Sequence, residues 1–310
     1  TYDVTGAENH CTIIAISASS RKKGVIWVGT DDGNIQVTRD GGASWTNVAR
    51  NIPGVPAGSW VPQVHASVYN EAEAFVVINN YRRNDWTPWI FRTKDFGKTW
   101  ERLVDDKKVS GYALSFVQDP VEPRLMFAGT EFGLYVTVDE GKTWTKWTNG
   151  YPTVSTYDLA IHPREHDLLI ATFGRALWVL DDIRPLREIA RNPADALQKN
   201  LRVYPSADAY LAHFKEGAGT RFTGNAIYKG ENRPYGASIS YSVKDLLKKD
   251  QTGDITETDT VKIEIADAQG RVVRRLSHQA VRGMNRTYWL LTRDGIRIPA
   301  QPKPKQDFTP

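Results

Sequence analysis

The sequence predicts an all-β chain, a multi-blade β-propeller followed by a β-sandwich. Three observations predict it. One eight-residue pattern occurs three times, a second pattern recurs just upstream of it, and turn residues punctuate a chain rich in aromatics.

The first pattern is T-x-D-x-G-x-[ST]-W. It reads Thr38 to Trp45, Thr93 to Trp100 and Thr137 to Trp144. Its aspartates, Asp40, Asp95 and Asp139, are 55 and then 44 residues apart, which is the length of one four-stranded blade. The chemistry is that of a hairpin. The Asp carboxylate accepts backbone N–H groups inside a tight turn. Gly42, Gly97 and Gly141 supply a backbone angle that other residues resist. Trp45, Trp100 and Trp144 then lay an apolar face into the blade core. These nine residues are therefore structural rather than catalytic.

The second pattern precedes the first. Val25–Gly33 (VIWVGTDDG) matches Leu125–Gly133 (LMFAGTEFG), with a degenerate copy at Leu168–Arg175. Each is an apolar strand ending in a threonine and a glycine-containing turn, and an alternating strand follows. About four units emerge, at residues 10–55, 56–105, 106–150 and 151–183. The fourth has no Asp–Gly–Trp motif, as suits a unit from which the chain exits.

Residues 1–183 are thus read as propeller blades, 184–202 as a crossover with a short helix (including Ala194–Leu197), and 203–310 as an Ig-like β-sandwich. In the last part Ala237–Val243 alternates, Asp267–Gly270 marks a hairpin between Thr260–Ala266 and Arg271–Leu276, and Gly283–Leu291 forms another strand. Gln301–Lys305 reads as a linker, which predicts a sandwich cut short.

Composition excludes several functions. Forty basic and 36 acidic residues are interspersed, and Arg21–Lys23, Lys107–Lys108 and Lys248–Lys249 are too short and too scattered for a nucleic-acid surface. No apolar run is long enough to span a membrane, and the first ten residues lack signal-peptide features. The single cysteine, Cys11, rules out an internal disulfide and reads as a buried structural thiol beside an apolar strand. His65, His162 and His166 read as surface or core residues rather than ligands, and no metal or cofactor is expected.

The three motifs are those of the Asp-box (BNR) repeat. With GTDDG, GTEFG and the closing ATFGRALWVLDD, the chain resembles bacterial secreted sortilin-like BNR-repeat proteins that carry a C-terminal Ig-like domain. The resemblance implies a propeller of six or more blades, so that further blades lie elsewhere in a longer chain or on another chain. It also implies a secreted, periplasmic or cell-surface location. Phe173 stands where the resemblance implies histidine, which weakens any chemical role for that position.

Propeller topology assigns a binding face. The Asp-box joins the third strand to the fourth, so turns between second and third strands lie at the opposite end, with the connections between blades. That end collects Asp31, Asp32, Glu131, Phe132, Phe173 and Arg175 from the turns, and His10, Trp60, Tyr112 and Tyr157 from the connections. The insertion at 79–88 adds Arg82, Arg83 and Trp86. Asp31 and Asp32 also suit a simple turn, and Arg175 suits a bridge to Asp181 or Asp182.

The favoured reading is a binding or assembly module for a protein, peptide or glycan partner, with no chemistry by this chain alone. The alternatives are a glycoside hydrolase of the sialidase or xyloglucanase kind, which needs two carboxylates across the scissile bond, and a structural subunit of a cell-surface complex. Asp31, Asp32, Glu131 and Asp158 are the carboxylates that such a hydrolase would draw on. Arg297–Pro299 has the letters of a sialidase signature in the wrong context and is read as chance.

Overall fold

The structure is a computed structural model, and it describes residues 10–193, 199–211, 231–244 and 260–295. Ala194–Leu197, Lys248–Lys249, Arg297–Pro299 and Gln301–Lys305 lie outside the described residues. The chain divides into two compact units, 1–196 and 197–310.

Unit 1 holds four antiparallel sheets in chain order. The first is β1 (Ile13–Ala18), β2 (Ile26–Thr30), β3 (Ile35–Thr38) and β4 (Thr46–Asn47). The second is β5 (Trp60–Ala66), β6 (Ala74–Asn80), β7 (Asp85–Thr93) and β8 (Glu101–Arg102). The third is β9 (Ala113–Gln118), β10 (Met126–Thr130), β11 (Gly133–Thr137) and β12 (Thr145–Lys146). The fourth has three strands, β13 (Thr156–Ile161), β14 (Leu168–Thr172) and β15 (Leu177–Leu180).

Every sheet is a meander whose first strand adjoins the first strand of the next: β1 meets β5, β5 meets β9 and β9 meets β13. That radial arrangement is a β-propeller. Side chains stitch each junction. Ser17 Oγ accepts the Ala66 N–H at 3.0 Å, and Gln63 both accepts the Phe116 N–H (2.6 Å) and donates to its carbonyl (2.9 Å). Ser115 Oγ donates to the Thr156 carbonyl at 3.2 Å.

The glycine of the G-T pair has a packing role. A Cβ on Gly29 would stand 2.6 Å from Val61 Cγ1, and one on Gly129 would stand 2.5 Å from the Thr156 carbonyl oxygen. Only glycine lets the next blade's first strand come this close.

Three apolar cores fill the spaces between successive sheets. Trp27, Val37, Val64 and Phe91 join sheets one and two; Phe75, Ile90, Phe116 and Met126 join two and three; Phe127, Leu134, Leu168 and Ile170 join three and four. Each fully buried Phe among them contributes roughly 2–3 kcal/mol.

The three Asp-boxes are superposable in their bonding. In each, the threonine hydroxyl donates to the Asp carboxylate (2.7–2.8 Å) and accepts the glycine N–H at 2.9 Å. The same carboxylate accepts the N–H of Ser44, Thr99 or Thr143 at 2.9 Å and its hydroxyl at 2.5–2.7 Å. Hydrogen bonds from Ser44 hold Asp40 well below the usual carboxylate range. Burial pushes Asp95 and Asp139 up, but the bonds from Thr99 and Thr143 outweigh it and hold both low. The residue before each glycine is also left-handed: Gly41, Phe96 and Glu140 have φ of 76°, 58° and 63°. Its N–H reaches across to the turn between the first two strands, at the carbonyls of Gly24, Ala72 and Arg124.

The box tryptophans differ from the expectation. Trp144 donates to the Leu103 carbonyl (3.2 Å), and Trp100 packs edge-on against Trp27 with centroids 6.2 Å apart. Each therefore packs toward the preceding sheet. Trp45, in the first sheet, is 42% exposed because no described sheet precedes it. Cys11 is likewise exposed rather than buried. It sits at φ 65° in the turn before β1, and a hydrogen bond with Asp32 pushes its thiol pKa up.

Helix α1 (Arg184–Arg191) belongs to unit 1 rather than to a crossover between units. Leu186 and Ala190 enter the core between sheets three and four. The helix is pinned by a buried ion pair. Arg187 Nη2 lies 2.8 Å from Asp119 Oδ2, with the two side chains 4% and 0% exposed. Asp119 also accepts the N–H groups of Val121 and Glu122 (2.8 and 2.7 Å). His166 Nδ1 touches Arg187 Nη1 at 2.9 Å, and burial followed by the charge of Arg187 pushes the His166 pKa down.

Unit 2 contains β16 (Leu201–Val203), β17 (Ala237–Val243) and β20 (Gly283–Trp289) in one antiparallel sheet, and β18 (Thr260–Ala266) with β19 (Val272–Gln279) in another. The hairpin turn closes with the Gly270 N–H on the Asp267 carbonyl at 2.9 Å. A small core of Tyr241, Val243 and Ala280 meets Val261 and Ile263, and the Tyr241 hydroxyl reaches His278 Nδ1 at 2.5 Å.

Candidate functional site

Backbone bonds define one end of the propeller. The N–H groups of Asp31, Glu131 and Phe173 donate to the carbonyls of Thr12, Tyr112 and Ser155 at 3.0–3.2 Å. Each turn between second and third strands is thus tied to the segment entering its own sheet. The Asp-boxes, tied to the turns between first and second strands, occupy the other end.

At the first end the second blade's turn builds a ladder of rings. The Arg82 guanidinium lies 3.8 Å from the Trp60 ring centroid and 4.6 Å from that of Tyr81. Tyr81 stacks on Tyr112 (4.4 Å, 18°), and Trp86 stands 5.5 Å from Tyr112. Burial first, then the Glu131 charge, pushes the Tyr112 hydroxyl up to about 12, so it is a hydrogen-bond donor at neutral pH. Trp60, Gln63, Tyr81, Arg82, Tyr157 and Asp158 line a cavity of about 290 Å³ beside the ladder. Asp158 is the only carboxylate among the described residues lining it, and it accepts the Leu159 N–H at 2.8 Å.

Other expected residues lie apart from this cavity. Asp31 is buried, accepts the Thr12 N–H at 2.7 Å and stands 3.8 Å from His10 Nδ1. Asp32 accepts from the Thr30 hydroxyl (2.5 Å) and the Asn34 amide (2.9 Å). Burial pushes its pKa up, yet these bonds hold it low. Both carboxylates thus fasten the first sheet's turn. Arg83 turns away and donates to the Ala57 carbonyl at 2.7 Å. Asp182 pairs with Arg184 at 2.6 Å. Phe173 is exposed and stands 6.3 Å from Tyr157. Glu131, Phe132 and Trp86 line a separate cavity. His65 packs between Phe75 and Phe116 (6.2 and 6.3 Å), where burial pushes its pKa down.

Sequence reasoning did not single out Tyr81, which centres the ladder, although its place beside Arg82 in an inserted turn was the available signal. The Asp119–Arg187 pair left no signal, because its partners are 68 residues apart. Among the described residues no cluster of His, Cys, Asp and Glu could hold a metal, and no helix is long and apolar enough to cross a membrane.

Comparison with known proteins agrees with a propeller. A family model described as "Sortilin, neurotensin receptor 3" matches residues 89–185. The chain is 30% identical over 151 residues to xyloglucanase Xgh74A of Acetivibrio thermocellus, covering 43% of this chain. It spans only 17% of that relative's length. Among solved structures, the Niastella koreensis GH74 enzyme is similar over 55% of this chain and 28% of its own, with TM-score 0.44 and 18% identity. YCF48 bound to D1 peptide is similar over 56% of this chain and 52% of its own, with TM-score 0.41 and 18% identity.

Proposed function

We propose that the propeller is a binding module whose ligand, a segment of a protein or a glycan, docks on the end carrying Trp60, Arg82 and Tyr112. The observation that supports this most is the ladder in which Arg82 lies against Trp60 and Tyr81, with Tyr112 continuing the stack. Rings and guanidinium groups held by one another lose little side-chain entropy on binding, and Trp, Tyr and Arg dominate interface hot spots. We further propose that the four sheets are part of a larger propeller, that unit 2 is a small Ig-like spacer, and that the protein works outside the cytoplasm.

A second reading is hydrolysis of a β-glucan such as xyloglucan, favoured by the identity with the xyloglucanase. Hydrolysis requires two carboxylates about 5–10 Å apart. The cavity beside the ladder has Asp158 alone among the described residues, so this reading needs its second carboxylate from elsewhere.

The test is screening of the chain against peptide and glycan arrays, followed by Trp60→Ala and Tyr112→Ala. Binding lost in both variants, with folding intact, supports the module. Release of reducing ends from xyloglucan that Asp158→Asn abolishes would establish the hydrolase instead.

A further inference from the structure

A second cavity, about 550 Å³, opens beside the ladder, and its lining includes Trp86, Pro88, Asp106, Ser110, Glu131 and Phe132. Its charged lining residues are both acidic, in a chain whose net charge is +4. Three nearby cations are engaged elsewhere. Arg102 donates to the Pro88 carbonyl at 3.0 Å and lies over Trp89, Lys108 Nζ reaches the Gly141 carbonyl, and Lys146 Nζ reaches the Thr153 hydroxyl.

Two features of the lining are unsatisfied. Glu131 Oε2 is shielded from solvent and has no hydrogen-bond partner, and burial pushes the Glu131 pKa up. Such an acceptor lacks the donor that buried polar atoms normally find. Beside it, the rings of Trp86 and Phe132 stand substantially exposed. Gly111 allows the second: at φ 78°, a Cβ there would lie 2.7 Å from Phe132 Cδ2.

Exposed rings without an internal cation, next to two carboxylates that form no ion pair among the described residues, match a ligand that is both cationic and rich in N–H. We infer that this cavity receives a basic side chain, lysine or arginine, from a protein partner: the cation faces the rings and donates to Glu131 and Asp106. A neutral sugar could stack on Trp86 but would pair neither Glu131 nor Asp106 with a cation. The inference rests on the binding-module reading and names the chemistry of its partner.

The test uses the full chain, with the Trp86 indole N–H followed by NMR during titration with Nα-acetyl-lysine methylamide, Nα-acetyl-arginine methylamide and the uncharged Nα-acetyl-norleucine methylamide. A cationic probe should bind saturably and at least about tenfold more tightly than norleucine, and added salt should weaken it. Glu131→Gln should erase that preference. Trp86→Ala, followed through the backbone signals of Gly111 and Phe132, should weaken both cationic probes and serves if the first variant fails to fold. Equal binding of norleucine, an unchanged preference in Glu131→Gln, or a Trp86 response to a xyloglucan oligosaccharide but to neither cation would overturn the inference. The binding module itself is judged separately, by Trp60→Ala and Tyr112→Ala on the array ligand.

Discussion

The inner two and the outer two of the four described sheets share one meander and differ in what covers them. In sheets two and three, β6 and β9–β11 are buried at every residue. In the first sheet, β1 leaves Ile13, Ile14 and Ile16 exposed, and in the fourth Leu177 and Val179 of β15 are bare. Register aligns the outer surface of the fourth sheet: Leu169 pairs with Val179, and Ala171 with Leu177. The strand pattern alone therefore does not bury these side chains. A neighbouring blade does, and the box tryptophans record it, since Trp100 and Trp144 pack toward a preceding sheet and Trp45 has none among the described residues.

The largest expected effects break inner junctions. Arg187→Ala should cost about 3–5 kcal/mol, because it strands the buried Asp119 carboxylate and releases α1; chemical denaturation measures it. Trp100→Ala should cost about 3 kcal/mol and Trp45→Ala less than about 1 kcal/mol, although both occupy the same place in the same motif. Equal losses would show that the tryptophans serve their own blade rather than the preceding one. Asp139→Ala removes several bonds to one carboxylate and should cost about 1–3 kcal/mol.

Acid should weaken the fold in two stages. His65 and His166 have folded pKa values below the usual 6.5, so the unfolded chain takes up more protons and stability falls as pH drops through that value. The depressed carboxyls of Asp40, Asp95 and Asp139 act in the same direction below their usual 3.8. Thermal melts between pH 8 and 3 should show a mild decline and then a steep one. Smallest of all, Ile16→Lys and Leu177→Lys should shift stability by no more than about 0.5 kcal/mol. Equivalent substitutions at Phe116 or Phe127 should unfold the protein.

Much of this was legible in the sequence, for a physical reason. The Asp-box is largely local: the bonds among its Thr, Asp, Gly and Ser or Thr lie within six residues, and only the tie to the turn between the first two strands reaches further. Three of the sheets followed from it and the fourth from the degenerate second pattern at Leu168–Arg175, as did the end of the propeller that carries Trp60, Arg82 and Tyr112. What the sequence left open depends on neighbours distant in the chain. Identical T-x-D-x-G-x-[ST]-W motifs conceal that Trp45 is exposed, because exposure is set by the adjoining sheet. An apolar stretch after Cys11 suggested burial, yet β1 presents one face outward. Asp31 and Asp32 looked available, but the Thr12 N–H, Thr30 and Asn34 occupy their carboxylates.

The most direct test compares β1 with β9 by hydrogen exchange, since both are first strands paired on one side by the second strand of their sheet. The amides of β9 bonded to β10 should exchange more slowly than those of β1 bonded to β2, by on the order of a hundredfold. Equal protection would contradict the claim that a neighbouring blade, rather than the repeat itself, makes each sheet stable.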